Sequence, residues 1–399
     1  MRKLNKTAAC GILAAALAAG TLSGCSKAID GTKTVATVGD EKVTLGLASY
    51  MVRDQQAQTM SYYNMLMSQY GVSGSASNVW DQKGDDGKTV GESSKDGVMT
   101  TINQLYVLKA HAADYDVTIT DDEEKAIKEA AAEFIKDNDE KILKKLAVSE
   151  DDIVTYLELV TIRSKMHDPM TADVDTEVSA NEKDQTRVTI VKVSTEGTEK
   201  DDDGNTIDLT DEEKAQKKDL AQQVLDKVKA SDDVANADMD ALAKEVDDSL
   251  SATAPAFTTA GSTDDTLDEA VQDAALELKD GEVADSVIEG DDGYYVVRLD
   301  KMLDEDATEN KEKTVISERK SDLYDSTLED WVKEEKIKVK DKVWDQITVT
   351  DSVSFVYKSA DSSDDTESND AQDSTEDTSS QDNSEDTTTE DTAAEDSAE

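Results

Sequence analysis

The chain has 399 residues, and its 42 Lys and Arg against 92 Asp and Glu give a formal net charge of −50. So acidic a protein repels the phosphate backbone, which excludes nucleic acid as a partner. The only two histidines, His111 and His167, are too few for a three-histidine zinc site, and we predict no metal and no cofactor. The length is that of two or three domains.

The N-terminus has the pattern of a lipoprotein signal peptide. Three basic residues among the first six precede an apolar stretch, residues 8–22, that is short for a membrane span. The stretch leads into Leu22-Ser-Gly-Cys25, which resembles the bacterial lipobox, where the signal is cut before an acylated cysteine. We therefore predict that residues 1–24 are the signal, that Cys25 carries the lipid and that residues 25–34 are a tether. An ordinary secretory signal with an incidental cysteine is the alternative.

Residues 35–183 are predicted to form a largely helical domain. It opens with a strand, Val35–Val38, a turn at Gly39-Asp40 and a first helix that Thr44 caps and Gly71 ends. A polar loop is predicted to run to about Lys95, and a second helix follows. Two further helices begin at capping boxes, in which a hydroxyl side chain precedes an acidic residue by three positions. These boxes are Thr120–Glu123 and Ser149–Asp152.

One segment of the first helix is rich in Met and Tyr. It carries Tyr62, Tyr63, Met65, Met67 and Tyr70. Core packing is the default interpretation of these residues. The alternative is contact with varied protein partners, since methionine surfaces repack easily.

Residues 184–303 are predicted to form a small α+β unit. Alternating β-branched residues from Arg187 to Val193 indicate a strand, and a capping box at Thr210–Glu213 starts the helix after it. A short second helix follows, and Thr266–Glu269 is predicted to cap a third. The segment Tyr294–Leu299 is apolar on both faces, which is typical of a central strand.

The rest of the chain returns to a helix and ends in a polar tail. Residues 304–355 carry a long helical pattern followed by a short strand at Ile337–Lys340, and we expect this segment to pack with the N-terminal helices. We assign residues 356–399 to a disordered acidic tail, because from Ser359 onward they hold sixteen Asp or Glu, no Lys or Arg and no large apolar residue. Without the tail's carboxylates the net charge is still −34.

The order of these elements resembles the secreted parvulin-type peptidyl-prolyl isomerases, including the lipid-anchored PrsA foldases and the SurA chaperones. The resemblance rests on the opening Val35–Thr44, on the turn Leu278–Val283 and on Gly293-Tyr-Tyr-Val-Val-Arg-Leu299, which is similar to the Gly-Tyr-His strand of parvulins. It implies an α+β architecture in which N- and C-terminal segments build a helical chaperone domain and a parvulin-like domain is inserted between them.

The same resemblance shows where this chain departs from the family. Parvulins carry one His in the first strand and one in the Gly-Tyr-His strand, and here Thr189 and Tyr295 stand near those positions. No catalytic residue is therefore carried over, and isomerase activity is left open. The candidate polypeptide-binding residues are Thr189, Phe257, Leu267, Val271, Tyr295 and Val297.

The resulting hypothesis is a folding factor on the extracytoplasmic face of the bacterial membrane. It would be held by a lipid anchor and would bind unfolded or newly secreted polypeptides, with chaperone activity favoured over catalysis. The alternative is a ligand-binding lipoprotein such as a transporter-associated receptor, for which two α/β lobes would be expected.

Overall fold

The computed structural model describes residues 15–16, 29–69, 79–198, 200, 206–259, 267–349 and 356–357. The predicted lipid site Cys25, the predicted helix end at Gly71 and the tail from residue 358 lie outside the described residues. Val356 and Tyr357, which the sequence analysis assigns to the tail, form a two-residue strand. It pairs antiparallel with a strand formed by Ala15 and Ala16 of the predicted signal peptide.

Ten strands and eleven α-helices are present among these residues. The strands are β1 Ala15–Ala16, β2 Thr34–Val38, β3 Glu41–Thr44, β4 Gln185–Ser194, β5 Ala252–Thr253, β6 Ala256–Thr258, β7 Ile288–Glu289, β8 Gly293–Lys301, β9 Ile337–Val339 and β10 Val356–Tyr357. The helices are α1 Leu45–Gln69, α2 Val90–His111, α3 Asp121–Asp137, α4 Glu140–Leu146, α5 Glu150–Met170, α6 Ala180–Lys183, α7 Asp211–Lys229, α8 Met239–Lys244, α9 Glu269–Leu276, α10 Glu305–Glu334 and α11 Asp341–Trp344.

The N-terminal part is a helical layer beside a three-stranded sheet of order β3-β2-β9. Gly39 takes a positive φ of 56° in the tight turn between β2 and β3, a conformation that glycine adopts without steric cost. Thr44 caps α1 as predicted, since its hydroxyl accepts a hydrogen bond from the backbone N–H of Leu47 at 3.1 Å. The predicted capping boxes at Thr120 and Ser149 are confirmed at the starts of α3 and α5.

The predicted loop up to Lys95 is wrong, because α2 already begins at Val90. A third capping box starts this helix: Glu92 N–H donates to the hydroxyl of Thr89, and Thr89 N–H donates to the carboxylate of Glu92. Residues 92–97 are polar or glycine, so the apolar periodicity that marks a helix becomes visible only at Val98. The short helix α4 is likewise not predicted from the sequence.

The C-terminal segment packs into the N-terminal core. Strand β9 pairs with β2, and the ring of Trp331 on α10 stacks on His111 of α2 with centroids 4.1 Å apart. Leu328 and Trp344 are buried in the same apolar cluster as α1, α2 and α5. Two distant stretches of the chain therefore share one hydrophobic core.

The central part is an α+β unit built on a five-stranded sheet. Its order is β5-β4-β8-β7, and β6 also pairs with β4. Strand β8 pairs with β4 on one side and β7 on the other, as its apolar residues predict. Helices α7 and α8 pack on one face of this sheet and α9 packs on the other. The N-cap of α9 is Asp268, whose carboxylate accepts from Ala270 N–H, and the predicted cap Thr266 lies outside the described residues.

Within the described ranges, no helix is both long and apolar enough to cross a membrane.

Candidate functional site

Strands β4 and β8 carry Thr189 and Tyr295, the residues that the sequence analysis sets near the two histidine positions of parvulins. Their antiparallel register places Thr189 opposite Arg298 and Lys192 opposite Tyr295. Directly opposite residues share a face of the sheet, and alternate residues along a strand point the same way. Thr189 and Tyr295 therefore lie on opposite faces. On β4, the residues that share the α9 face with Tyr295 are Val188, Ile190 and Lys192, and the first two pack in the same cluster as Tyr295.

Five of the six candidate binding residues come together on the α9 face. Phe257, Leu267, Val271, Tyr295 and Val297 belong to one apolar cluster, and each is buried. This cluster is the hydrophobic contact between α9 and the sheet. Because its side chains are buried, none of the five is accessible to a ligand in this structure. Thr189, the sixth candidate, lies apart from them on the other face.

The hydroxyl of Thr189 belongs to a structural hydrogen-bond network. It donates to Asp300 Oδ2 at 2.6 Å, and Arg298 Nε donates to Asp300 Oδ1 at 2.7 Å. The same guanidinium donates to the backbone carbonyls of Val234 at 3.2 Å and Ala237 at 2.8 Å. This network connects the 3₁₀ turn before α8 to the sheet. Its hydrogen bonds give the Thr189 hydroxyl a structural role, in place of the predicted role in polypeptide binding.

Tyr295 is also held by a carboxylate. Its hydroxyl donates to Asp292, which in turn binds the ammonium of Lys192. Burial, and then the hydrogen bond to Asp292, raise the pKa of Tyr295 above its ordinary value. Burial alone would raise the pKa of Asp292, but the hydrogen bonds from Lys192 and Tyr295 hold it below its usual value. The pair is thus a neutral phenol and a charged carboxylate that already satisfy each other.

The second candidate region lies in the helical domain, on the C-terminal half of α1. Tyr62 is 63% exposed and Met65 is 61% exposed, while Tyr63, Leu66 and Met67 are half-buried. The default prediction of core packing is therefore wrong for Tyr62 and Met65. By contrast, most of the first half of α1, from Leu45 to Ala57, is buried.

A cavity of about 490 Å³ lies between α1 and α2 beside this exposed segment. Gln55 and Thr59 line it from α1, and small residues of α2, among them Ser94 and Gly97, leave the space open. Its one charged lining residue, Lys88, is paired with Asp96 at 2.6 Å. The lining is thus nearly free of net charge.

The sequence feature that indicates this region is a long segment without charged residues. From Gln55 to Trp80 the sequence has no Asp, Glu, Lys or Arg, although 34% of all residues are charged. The polar surface of this protein is otherwise acidic, so an uncharged run that carries exposed Tyr and Met marks a surface of a different kind.

Nothing in the described ranges gathers the ligands of a metal ion. No group of three or more His, Cys, Asp or Glu residues is placed there to hold one.

A family model for the PPIC-type PPIase domain matches residues 200–314. The matched segment contains α7, α8, α9 and β8, and β4 with Thr189 precedes it. This match confirms the resemblance to parvulin-type peptidyl-prolyl isomerases for that part of the chain. A comparison with curated proteins gave no match.

Among solved structures, the chain is similar to a foldase protein, PrsA, from Lactococcus lactis, at 15% identity and a TM-score of 0.31 over 78% of this chain and 96% of that chain. It is similar to a peptidylprolyl isomerase, PrsA, from Bacillus cereus, at 18% identity and a TM-score of 0.28 over 66% and 94%. A SurA-like chaperone from Campylobacter jejuni matches at 10% identity and a TM-score of 0.25 over 77% and 99%.

Proposed function

We propose that this protein is a membrane-anchored extracytoplasmic folding factor that binds unfolded secreted polypeptides, and that it acts as a chaperone rather than as an isomerase. The family match supports a parvulin-like foldase. The preference for chaperone activity comes from the side-chain geometry of the α+β unit.

The observation that carries this preference is the placement of Thr189 and Tyr295. Isomerisation of an X-Pro bond must overcome a barrier of roughly 18–20 kcal/mol, and an enzyme lowers it with groups that contact the twisted amide. Here the two hydroxyls lie on opposite faces, and each is bonded to a carboxylate, Asp300 or Asp292. So placed, the hydroxyls of Thr189 and Tyr295 do not converge on one bound proline, which supports the chaperone proposal.

Chaperone activity needs only an accessible surface that non-native segments can bind. Tyr62 and Met65 supply exposed apolar area on the helical domain, outside the α+β unit. Methionine side chains are flexible and adapt to varied partners. Binding through this part of the protein leaves the buried cluster around Tyr295 undisturbed.

Membrane anchoring rests on the sequence around Cys25. A single acyl chain holds a protein only marginally, whereas the several chains of a lipoprotein hold it firmly. Radiolabelled palmitate is expected to label the wild-type protein in bacteria and not a Cys25→Ala variant, which should appear in the soluble fraction. Equal labelling of both would remove the anchor from the proposal.

The chaperone proposal is tested by aggregation of a chemically unfolded client protein, followed by light scattering with and without the purified protein. Suppression at near-stoichiometric ratios is expected. Unchanged scattering, together with no acceleration of X-Pro exchange, would overturn the folding-factor proposal and favour the ligand-binding lipoprotein.

A further inference from the structure

The exposed half of α1 forms a distinct surface, which we call the uncharged arm and define as Gln55–Gln69. At 1.5 Å per residue its fifteen residues extend over about 22 Å. None of them is charged, and its most exposed large side chains are Tyr62 and Met65. Burial does not account for such a composition, because large apolar side chains are retained at positions where water contacts them.

The arm is continuous with the cavity between α1 and α2. Gln55 and Thr59 belong to both, and the opposite wall is formed by Ser93, Ser94, Gly97 and Thr101 of α2. A Cβ atom built on Gly97 would meet no heavy atom within 4 Å. A volume of about 490 Å³ admits several side chains of a bound segment. The arm and the cavity thus make one surface with an exposed apolar ridge and an adjoining recess.

The charge of the protein decides what occupies this surface. A second copy would bring its own net charge of −50 against the first, and like-charge repulsion opposes that contact. An acidic segment of another protein is opposed in the same way. A segment with an uncharged apolar centre and basic flanks is instead attracted by the acidic surroundings while its centre contacts the arm.

We infer that the uncharged arm and the adjoining cavity bind non-native polypeptide segments that have an apolar centre flanked by Lys or Arg. This inference rests on the proposed function and specifies its surface and its substrate class. Tyr62 and Met65 supply the apolar contacts, the cavity receives side chains of the segment, and the acidic remainder of the protein selects the flanks.

The test is fluorescence anisotropy of two labelled peptides that share one apolar centre and differ only in lysine or glutamate flanks. The purified full-length protein is expected to bind the lysine-flanked peptide about tenfold or more tightly than the glutamate-flanked one at low salt, and this preference should shrink as salt is added. Equal affinity for both peptides would overturn the charge selection.

The surface is tested by a double variant, Tyr62→Gln with Met65→Gln. Glutamine is a good helix former, so α1 should be retained, as circular dichroism would show. About a tenfold loss of affinity for the lysine-flanked peptide is expected, which is the scale for removing a principal contact residue. The matched control is Leu303→Gln with Ile207→Gln, because these side chains are 51% and 47% exposed elsewhere on the protein. The control should bind like the wild type.

The cavity is tested by a pair of changes at one position. Gly97→Leu places a side chain in the open space and should weaken peptide binding several-fold, whereas Gly97→Ala should leave binding unchanged. If Gly97→Leu bound the peptide as tightly as Gly97→Ala, the cavity would have no role in peptide binding.

The outcomes separate this inference from the proposed function. If the wild type suppresses aggregation and the Tyr62→Gln, Met65→Gln variant does so equally well, the inference is overturned and the chaperone function stands. If the wild type neither binds peptide nor suppresses aggregation, the proposed function fails. Self-association in sedimentation velocity that the double variant abolishes would make a second copy the occupant and overturn the inference.

Discussion

Thr189 and Tyr295 project from opposite faces of the sheet formed by β4 and β8. The cause is the register, which sets Thr189 against Arg298 and Tyr295 against Lys192. The two residues therefore serve different neighbours: one supports the turn before α8, and the other lies in the cluster under α9. In this sheet both hydroxyls are bonded to carboxylates of the protein, Thr189 to Asp300 and Tyr295 to Asp292.

The first prediction concerns the network around Thr189. Replacing Arg298 by Met removes the guanidinium that donates to Asp300 and to two backbone carbonyls, so the half-buried carboxylate keeps only its bond from Thr189. We expect a loss of about 3 kcal/mol in the free energy of unfolding. Thr189→Val removes one hydrogen bond to Asp300, which keeps Arg298, and should cost only about 1 kcal/mol. Urea titrations measure both. Equal losses would show that the guanidinium is not the centre of the network.

The second prediction is a pH dependence that arises at Asp304, the N-cap of α10. Its carboxylate accepts from Ala307 N–H at 2.8 Å and binds Arg187, and these contacts lower the pKa of Asp304. A lowered folded-state pKa stabilises the protein above the unfolded-state value, near 3.9, and this stability is lost as the pH falls through the folded-state value. The loss of this stabilising contribution from Asp304 should therefore add to the acid unfolding of the protein below about pH 4.

Asp304→Asn isolates the charge, because asparagine also caps helices well. The variant should be less stable than the wild type at neutral pH, and the difference should shrink as the pH falls below about 4. Thermal unfolding across this range measures the difference. A difference that stays constant with pH would show that the carboxylate's charge contributes nothing.

The third prediction uses two glycines of α2. Gly97 has open space around it, so Gly97→Ala should stabilise the protein by about 0.4–1 kcal/mol by restricting the unfolded chain. At Gly91, an added Cβ would lie 3.1 Å from the carbonyl oxygen of Val349 and 3.2 Å from that of Trp80. Gly91→Ala should therefore destabilise it. Opposite shifts of the urea midpoint are expected, and a gain at both positions would contradict the packing described around Gly91.

The fourth prediction concerns the proposed insertion of residues 184–303. The chain enters and leaves this unit side by side, since Asp304 N–H donates to the carbonyl of Gln185 at 2.8 Å. The unit also has two apolar clusters of its own. Replacing residues 184–303 by a short Gly-Ser linker should leave a helical domain that unfolds cooperatively, as circular dichroism would detect. A gradual, non-cooperative melt would contradict the insertion.

Much of the fold could be predicted from local patterns, because helix starts are encoded by side chains near them in the sequence. The capping boxes at Thr120, Ser149 and Thr210 each predict the start of a helix that the structure contains. The box at Thr89 is equally local, but the residues after it are polar, so no apolar periodicity accompanies it in the first turns of α2. The alternation in β4 and the apolar run in β8 likewise gave both strands of the central pair.

The candidate site was less predictable, because it depends on which residues face each other. Alternation assigns Thr189 and Tyr295 to faces only after the register of β4 against β8 is known, and that register joins positions about a hundred residues apart. For the same reason the exposure of Tyr62 and Met65 could not be read from helical spacing. Spacing gives the face of a helix, whereas contacts with the rest of the protein decide whether that face is covered.

The most direct test of the account is NMR exchange spectroscopy of a proline-containing peptide in the presence of the purified protein, with Tyr295→Phe as the comparison. We expect cis-trans exchange at the uncatalysed rate for both proteins, while both still suppress aggregation of an unfolded client. Accelerated exchange by the wild type that Tyr295→Phe abolishes would contradict the account, because it would show that the phenol held by Asp292 is a catalytic group.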